Sequence, residues 1–265
     1  VSRTRMVALD VDGTLMSYGG VISEEVRAGV TALVDSGRHV VLATGRSAHS
    51  AVEVALDLGL THGWVVCSNG AVTARLDPEH DAGYTLERTV TFDPGPALRA
   101  IALEIPDALF AVEDLSVGFL VSAPFPAGEI TGQQTLVPFE RLASAPATRV
   151  VIRAPESTPE EFHALVERVG LHEVTYAVGW SAWLDLTPGG VSKASALEEV
   201  RRELGVEPYE TLALGDGEND VEMLRWAACG VAMGHANDVV RAAADEVTGT
   251  IDDDGAVAVL RRVLA

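Results

Sequence analysis

The sequence predicts an α/β protein: a parallel sheet assembled from both ends of the chain, with an α+β domain inserted between them. Three observations predict it. Short apolar runs alternate with helix-like segments over residues 1 to about 75, the order that builds right-handed βαβ units. The same rhythm returns from Ser192 to the end. Between them, from about Asp77, the texture changes. Prolines cluster at Pro94, Pro96, Pro106, Pro124, Pro126, Pro138, Pro146 and Pro155, and strand-like runs outnumber clear helices. The expected boundaries are 1–82 with 187–265 for a discontinuous core, and 83–186 for the insert.

The core elements follow in order. Val7-Ala8-Leu9 reads as a buried strand, because a parallel strand covered on both faces is apolar throughout. Ser23-Glu24-Glu25 caps a helix whose apolar positions are Val26, Val30, Leu33 and Val34, and Gly37 ends it. His39 to Ala43 is a second strand, closed by Thr44-Gly45-Arg46. Ser47 opens another helix, and Trp64 to Cys67 is a third strand ending at Ser68-Asn69-Gly70-Ala71. After Ser192 come a helix carrying Ala196, Leu197, Val200 and Leu204, a strand at Thr211 to Leu214, and the run Gly215-Asp216-Gly217-Glu218-Asn219-Asp220. A helix through Met223, Leu224 and Ala227, a short strand at Gly230 to Gly234 and two closing helices complete the core.

In the insert, candidate strands are Ala111-Val112, Val117 to Val121, Arg149 to Arg153, Val174 to Val178 and Ala182 to Leu186, giving a mainly antiparallel sheet. Its clearest helix follows Ser157-Thr158-Pro159-Glu160, with Phe162, Leu165, Val166 and Val169 on one face.

Composition narrows the function classes. Apolar residues make up 48% of the 265 positions, enough for a packed core, and the formal net charge is −20. That charge argues against nucleic acid and anionic membranes as partners, since both require a cationic face. An anionic small molecule stays possible if a local positive centre outweighs the global repulsion. No apolar run reaches the length of a membrane span and no signal peptide is recognisable, so the expected compartment is the cytoplasm. Cys67 and Cys229 are too far apart in sequence for a C-x-x-C pattern and read as buried structural thiols. Lys193 is the sole lysine in a sequence that otherwise uses arginine for its cations. Either a compact ammonium is needed there, where a planar guanidinium would not serve, or one surface lysine has survived by chance.

The residues that carry chemistry sit where strands end. Asp10 and Asp12 close the first strand, Thr44 the second and Asp216 to Asp220 the fourth core strand, with Lys193 at a helix start. In an open parallel sheet these ends share one edge, where ligands bind. Two carboxylates placed one residue apart need a cation or a proton between them. A hard cation such as Mg²⁺ takes carboxylate oxygens. A hydroxyl, an ammonium and helix N-termini after Thr44-Gly45 and at Ser192 suit phosphate oxygens. Read singly, each feature has a plain alternative: a turn or helix cap at Asp10 to Thr14, a cap at Thr44-Gly45, a solvated loop at Gly215 to Asp220.

Taken together, Asp-x-Asp-Gly-Thr at 10–14, Thr44 at a strand end, Lys193 and Gly-Asp-x-x-Asn-Asp at 215–220 resemble the four motifs of the haloacid dehalogenase (HAD) superfamily of phosphatases. The Cys67-Ser68-Asn69-Gly70-Ala71 loop, the Gly190-Val191-Ser192-Lys193 stretch and the long insert between the second and third motifs resemble its Cof-type branch, class IIB. The resemblance implies a Rossmann-like core with an inserted cap that excludes water and contacts the substrate beyond its phosphate. It implies Asp10 as nucleophile and Asp12 as general acid and then base. It implies Mg²⁺ held by Asp10, the backbone carbonyl of Asp12 and Asp216, with Asp220 ordering that shell directly or through water. It further implies that Thr44, Lys193, Asn219 and the backbone N–H groups near Val11 and Gly45 hold the phosphoryl oxygens.

The implied activity is Mg²⁺-dependent hydrolysis of a small phosphorylated metabolite, a sugar phosphate or cofactor phosphate, through an aspartyl-phosphate. The chain is expected as a monomer or small homo-oligomer. A phosphomutase or phosphotransferase using the same aspartate is the alternative. A non-catalytic phospho-ligand-binding protein ranks below it, and a signalling receiver is disfavoured by the length and by the Asp-x-Asp pair. One departure is His235-Ala236, where the family commonly shows Asn-Ala; His235 either touches the edge of the site or is a plain loop residue, the second being favoured. Arg46 serves either an ion pair that holds the loop or a substrate contact. Trp180 and Trp183 are candidates for the cleft wall, with core packing the simpler role for strand aromatics.

Overall fold

Met6–Leu9 (β1) has no exposed surface at any of its residues and occupies the middle of a sheet. The structure is a computed structural model describing residues 3–116, 118–155, 157–158, 161–162, 164, 174–178 and 183–265. After β1 come α1 (Glu24–Asp35), β2 (His39–Ala43), α2 (Ala48–Asp57), β3 (Gly63–Cys67), β4 (Val72–Leu76) and β5 (Tyr84–Thr89). The insert supplies α3 (Gly95–Glu104), β6 (Leu109–Asp114), β7 (Gly118–Val121), β8 (Gln133–Leu136), α4 (Phe139–Leu142), β9 (Val150–Arg153), β10 (Val174–Val178) and β11 (Trp183–Pro188). The chain closes with α5 (Lys193–Glu203), β12 (Thr211–Gly215), α6 (Val221–Trp226), β13 (Cys229–Ala232), α7 (Asp238–Ala243), β14 (Glu246–Val247) and α8 (Gly255–Leu264).

Among the described residues the first sheet has eight strands in the order β14-β13-β12-β1-β2-β3-β4-β5. From β14 to β3 all neighbours pair parallel, and β4 then returns antiparallel to β3. β1 therefore lies between β2, its successor in sequence, and β12, which arrives from the far end of the chain. The connections leave β1 in opposite directions, and a crevice opens at its carboxyl end at such a reversal. One face of this sheet packs Met6, Ala8, Val41, Ala43 and Ala213 against Leu197 and Val200 of α5 and Met223 and Leu224 of α6. On α1, Val26, Gly29, Val30 and Leu33 are buried. A Cβ at Gly29 would stand 2.8 Å from Leu260 of α8, so the missing side chain lets α1 and α8 pack closely. Val34, read as part of the α1 face, is exposed instead.

The described residues divide into two compact units, 1–88 with 192–265 and 89–191. The insert begins later than residue 83 because β5 belongs to the first sheet. It ends later than 186 because β11 runs on to Pro188. The second unit holds a six-stranded sheet in the order β10-β11-β9-β6-β7-β8, antiparallel except for the parallel pair β7–β8. Phe110, Val112, Val150, Ile152, Leu184 and Leu186 of this sheet share a cluster with Leu98 and Ile101 of α3. The helix α3 lies within the proline-rich stretch where no helix was expected; Pro96 sits in its first turn, where no backbone N–H is required. Trp183 packs beside Phe125 and donates its indole N–H to Asp185 at 3.0 Å. Trp180, Val117, Ala182 and the expected helical positions Leu165, Val166 and Val169 lie outside the described residues. Cys67 is buried as expected, whereas Cys229 is only half-buried, since the two-residue β14 covers its strand incompletely. Among the described residues no helix is long and apolar enough to cross a membrane.

Candidate active site

The site grows from the turn that follows β1. The Asp10 N–H donates to Leu214 O at 2.9 Å, which continues the β1–β12 ladder one residue past the strand. The chain then turns over Val11 O, which accepts from the N–H groups of Thr14, Leu15 and Met16. Gly13 makes the turn possible with φ +84°, a left-handed conformation that costs glycine little. A Cβ there would stand 2.3 Å from Asp216 Oδ2 and 2.6 Å from the Tyr18 hydroxyl. The glycine thus keeps open the approach of Asp216 to the turn.

Four groups from distant parts of the chain meet at this edge. One carboxylate oxygen from each of Asp10, Asp216 and Asp220 lies within 4.8 Å of the others, and all three residues are buried. Lys193 Nζ, wholly buried, donates to Asp10 Oδ1 at 2.6 Å and to Asp220 Oδ1 at 2.7 Å. The fold presents that lysine through a helix start: Ser192 is the N-cap of α5, and it exchanges hydrogen bonds reciprocally with Ser195. Gly70 lets the preceding loop lie against this cap, since a Cβ on it would stand 2.2 Å from Ser192 O.

Asp220 is the most heavily committed of the acids. Its Oδ2 accepts the backbone N–H groups of Asp216 and Gly217 at 3.0 and 2.9 Å, while Oδ1 holds Lys193. Asp216 receives Thr14 Oγ1 on Oδ1 at 2.8 Å and the Tyr18 hydroxyl on Oδ2 at 2.6 Å. Asp10 spends Oδ1 on Lys193; its Oδ2 has no hydrogen-bond partner among the described residues.

Asp12 stands apart from this cluster. Its carboxylate is held by Arg46 through a two-pronged pair, Nε to Oδ2 at 2.8 Å and Nη2 to Oδ1 at 2.7 Å. Of the two roles open to Arg46, the structure shows the ion pair. Thr44 is buried; its hydroxyl accepts the Arg46 N–H at 3.1 Å, and its carbonyl accepts the Asn69 N–H. Asn219 donates its side-chain amide to Asn69 Oδ1 at 2.9 Å, and a Cβ at Gly45 would stand 3.1 Å from that same oxygen. The Thr44-Gly45 and Asn219 loops are therefore joined through Asn69, whose φ of +53° lies in the left-handed region.

Sequence reasoning gave two of these residues no role and ranked a third too low. Asn69 was visible in its motif but carried no assigned role. Tyr18 sits in a glycine-flanked loop with no motif signal. For His235 the less favoured of its two readings, a place at the site edge, is the one the structure shows: its Nε2 lies 3.6 Å from Asp216 Oδ2. The local sequence gives no sign of this, because β13 and β12 are aligned side by side only in the folded sheet.

The electrostatics follow from burial. Burial pushes Asp10 well above the ordinary carboxylate range, and the Asp220 charge adds to this while Lys193 opposes it. Burial likewise raises Asp220 against the pull of Lys193. Lys193 is drawn down by burial but ends above its ordinary value, because Asp10 and Asp220 outweigh that effect. It stays an ammonium. Three carboxylates facing one ammonium leave a buried surplus of negative charge, costly unless a cation or protons neutralise it. An all-oxygen set of this kind fits a hard divalent cation.

The sequence model of the haloacid dehalogenase-like hydrolase family matches residues 7–98 and 126–260. The chain belongs to the haloacid dehalogenase-like hydrolases. It is an enzyme, and it sits among the phosphatases of that superfamily. It is similar to the 5-amino-6-(5-phospho-D-ribitylamino)uracil phosphatase YitU of Bacillus subtilis, with 27% identity covering 97% of this chain and 96% of that protein. It is also similar to a phosphoglycolate phosphatase of Methanoculleus marisnigri, with 29% identity covering 97% of this chain and 96% of that protein. Among solved structures it resembles the HAD subclass IIB sugar phosphatase BT4131, with TM-score 0.82 and 25% identity over 98% of each chain. BT1666 of Bacteroides thetaiotaomicron superposes with TM-score 0.79 and 28% identity, covering 98% of this chain and 95% of that one.

Proposed function

We propose that this haloacid dehalogenase-like hydrolase is a Mg²⁺-dependent phosphomonoesterase that works through an aspartyl-phosphate on Asp10. The observation that carries the reading is Lys193, wholly buried and bonded to both Asp10 and Asp220 beside Asp216. A buried ammonium bracketed by acids is costly to assemble, and perturbed charge clusters of this kind concentrate at catalytic sites.

Asp10 would attack through Oδ2, the oxygen that Lys193 leaves free. Its bond to phosphorus forms as the ester P–O bond breaks, and Asp12 gives its proton to the departing alkoxide. Asp12 then takes a proton from water as that water attacks phosphorus. The P–O bond to Asp10 breaks, and inorganic phosphate leaves with Asp10 restored. Lys193, Thr44, Asn219 and the N–H groups of Val11 and Gly45 hold the phosphoryl oxygens, since in-line phosphoryl transfer depends chiefly on positioning and charge neutralisation. Asp10, Asp216 and the Asp12 carbonyl would hold the Mg²⁺. When bound, the ion supplies a positive centre that lets an anionic nucleophile meet an anionic phosphate. Asp220 serves by fixing Lys193 and the turn at Gly217, the work to which both its oxygens are committed.

The substrate class we assign is a small phosphorylated metabolite, a sugar phosphate or the phosphate ester of a cofactor precursor. It is supported by relatives named for a ribitylamino-uracil phosphate and for sugar phosphates. The experiment is a panel of phosphorylated sugars, sugar alcohols and nucleoside precursors assayed for released phosphate with Mg²⁺ and with excess chelator. Release that stops with chelator is expected. Release that persists in chelator contradicts the reading.

A further inference from the structure

Asp216 is approached from three separate points of the chain. Thr14 donates to one of its oxygens, and the Tyr18 hydroxyl donates to the other at 2.6 Å. The third is the His235 ring, which follows β13. Its Nδ1 accepts the Ile251 backbone N–H at 3.2 Å, so in the neutral ring the proton resides on Nε2. That Nε2 is buried, has no hydrogen-bond partner and lies 3.6 Å from Asp216 Oδ2. The Tyr18 and His235 rings meet edge to face, with centroids 6.4 Å apart and planes at 85°. Each ring thus limits the movement of the other above one carboxylate oxygen.

Tyr18 itself is mostly exposed, in a loop that turns at Gly20. An exposed side chain whose hydroxyl reaches a buried carboxylate has its position set by that bond. Facing a carboxylate oxygen that can only accept, the hydroxyl is the donor of this bond.

We infer that Tyr18 and His235 are positioning residues that fix the Asp216 carboxylate for a divalent cation, an inference that rests on the reading of Asp216 as a ligand. A carboxylate held by one donor can rotate about its own axis. With Thr14 bonded to one oxygen and Tyr18 to the other, rotation is blocked from both sides, and the His235 Nε2, 3.6 Å away and not hydrogen-bonded, backs the second oxygen. Each oxygen keeps a lone pair for a metal. Partners that orient ligands in this way typically change metal affinity by about 10–100-fold when removed. The two residues act through Asp216 and touch neither substrate nor reacting atoms.

The test is a Mn²⁺ titration of the metal-stripped protein, followed by the free-ion electron paramagnetic resonance signal, with thermal melting of the metal-free forms alongside. Tyr18→Phe removes only the hydroxyl and is expected to weaken Mn²⁺ binding by about 10-fold, with an unchanged melting temperature. His235→Ala is expected to weaken it as well. His235→Gln, whose amide nitrogen extends about as far as Nε2, is expected to restore much of the affinity. At saturating metal, kcat for Tyr18→Phe should stay near the starting value. Affinities of Tyr18→Phe and His235→Ala within twofold of the unmodified protein, with binding lost in Asp216→Asn, would overturn the positioning role and leave the ligand reading intact. Full Mn²⁺ affinity in Asp216→Asn would overturn the ligand reading, and the positioning role with it.

Discussion

Lys193 Nζ lies 2.6 Å from Asp10 Oδ1 and 2.7 Å from Asp220 Oδ1, with none of its side chain exposed. The ammonium comes from the first residue of a helix, Asp10 from the end of β1, and Asp220 from the turn between β12 and the helix after it. Removing the ammonium leaves two carboxylates facing each other in a buried site. Lys193→Met is therefore expected to destabilise the metal-free protein by about 3 kcal/mol, the usual order for breaking a buried pair on one side. Urea unfolding measures this. The same variant should lose about 10²-fold or more in kcat, as expected when a charge-stabilising donor is removed.

Asp12 and Arg46 make the second close pair, and here the acid is partly exposed. Asp12→Asn is expected to fold normally and to lose about 10²–10⁴-fold in kcat on an alkyl phosphate. The loss should be smaller on an aryl phosphate such as p-nitrophenyl phosphate, whose leaving group needs less protonation. An equal loss on both esters would argue against Asp12 as the proton donor. Arg46→Ala frees the carboxylate and should lower kcat on alkyl esters while leaving Mg²⁺ affinity nearly unchanged.

Gly70 tests the scaffold behind Lys193. With φ +101° and the Ser192 carbonyl 2.2 Å from where a Cβ would sit, Gly70→Ala must move the helix cap or distort the turn. A stability loss of roughly 2–4 kcal/mol is expected. It should be accompanied by reduced activity, because Ser192 sets the start of the helix that carries Lys193. Thermal melting and phosphate release, run together, check both halves.

Glu198 gives the pH dependence its sign. Arg201 holds its carboxylate down to about 2, helped by Trp226 and Arg202 and resisted by partial burial. A carboxylate whose folded pKa is depressed stabilises the fold above its unfolded value, and that contribution is lost as pH falls through the folded value. Glu198→Gln should therefore melt below the unmodified protein at pH 7, by an amount on the order of 1 kcal/mol after solvent screening. The gap should close as pH drops from about 5 toward 2. A gap that widens on acidification contradicts the assignment.

The edge that carries the acid cluster was legible because its signals are local. An apolar strand followed by Asp10-Val11-Asp12-Gly13-Thr14, a strand ending in Thr44 and the Gly215 to Asp220 run each declare a strand end, and α/β topology then brings strand ends together. Lys193 stood out by being the only lysine. Contacts made across the sheet were not legible. Nothing near Asp220 reveals that both its oxygens are spent on Lys193 and the Gly217 turn, and nothing near Asp12 reveals that Arg46 rather than the acid cluster receives it. Tyr18 reaches Asp216 only once β1 lies beside β12, and His235 approaches it only once β13 lies on the other side of β12. In the insert, the helix of residues 95–104 falls within the proline-rich stretch where no helix was expected, with Pro96 in its first turn. The extra strands Val72–Leu76, antiparallel to its neighbour, and Tyr84–Thr89 extend the core sheet in a way that the βαβ rhythm did not announce.

Covalent capture of the phosphoryl group tests the central claim most directly. The protein is mixed with a substrate labelled in its phosphoryl group and quenched in acid within a single turnover, and the labelled peptide is mapped. Label is expected on Asp10 in the unmodified protein, decaying as free phosphate appears, and none is expected in a folded Asp10→Asn variant. Steady turnover with no label on Asp10, or full activity in Asp10→Asn, would contradict the account.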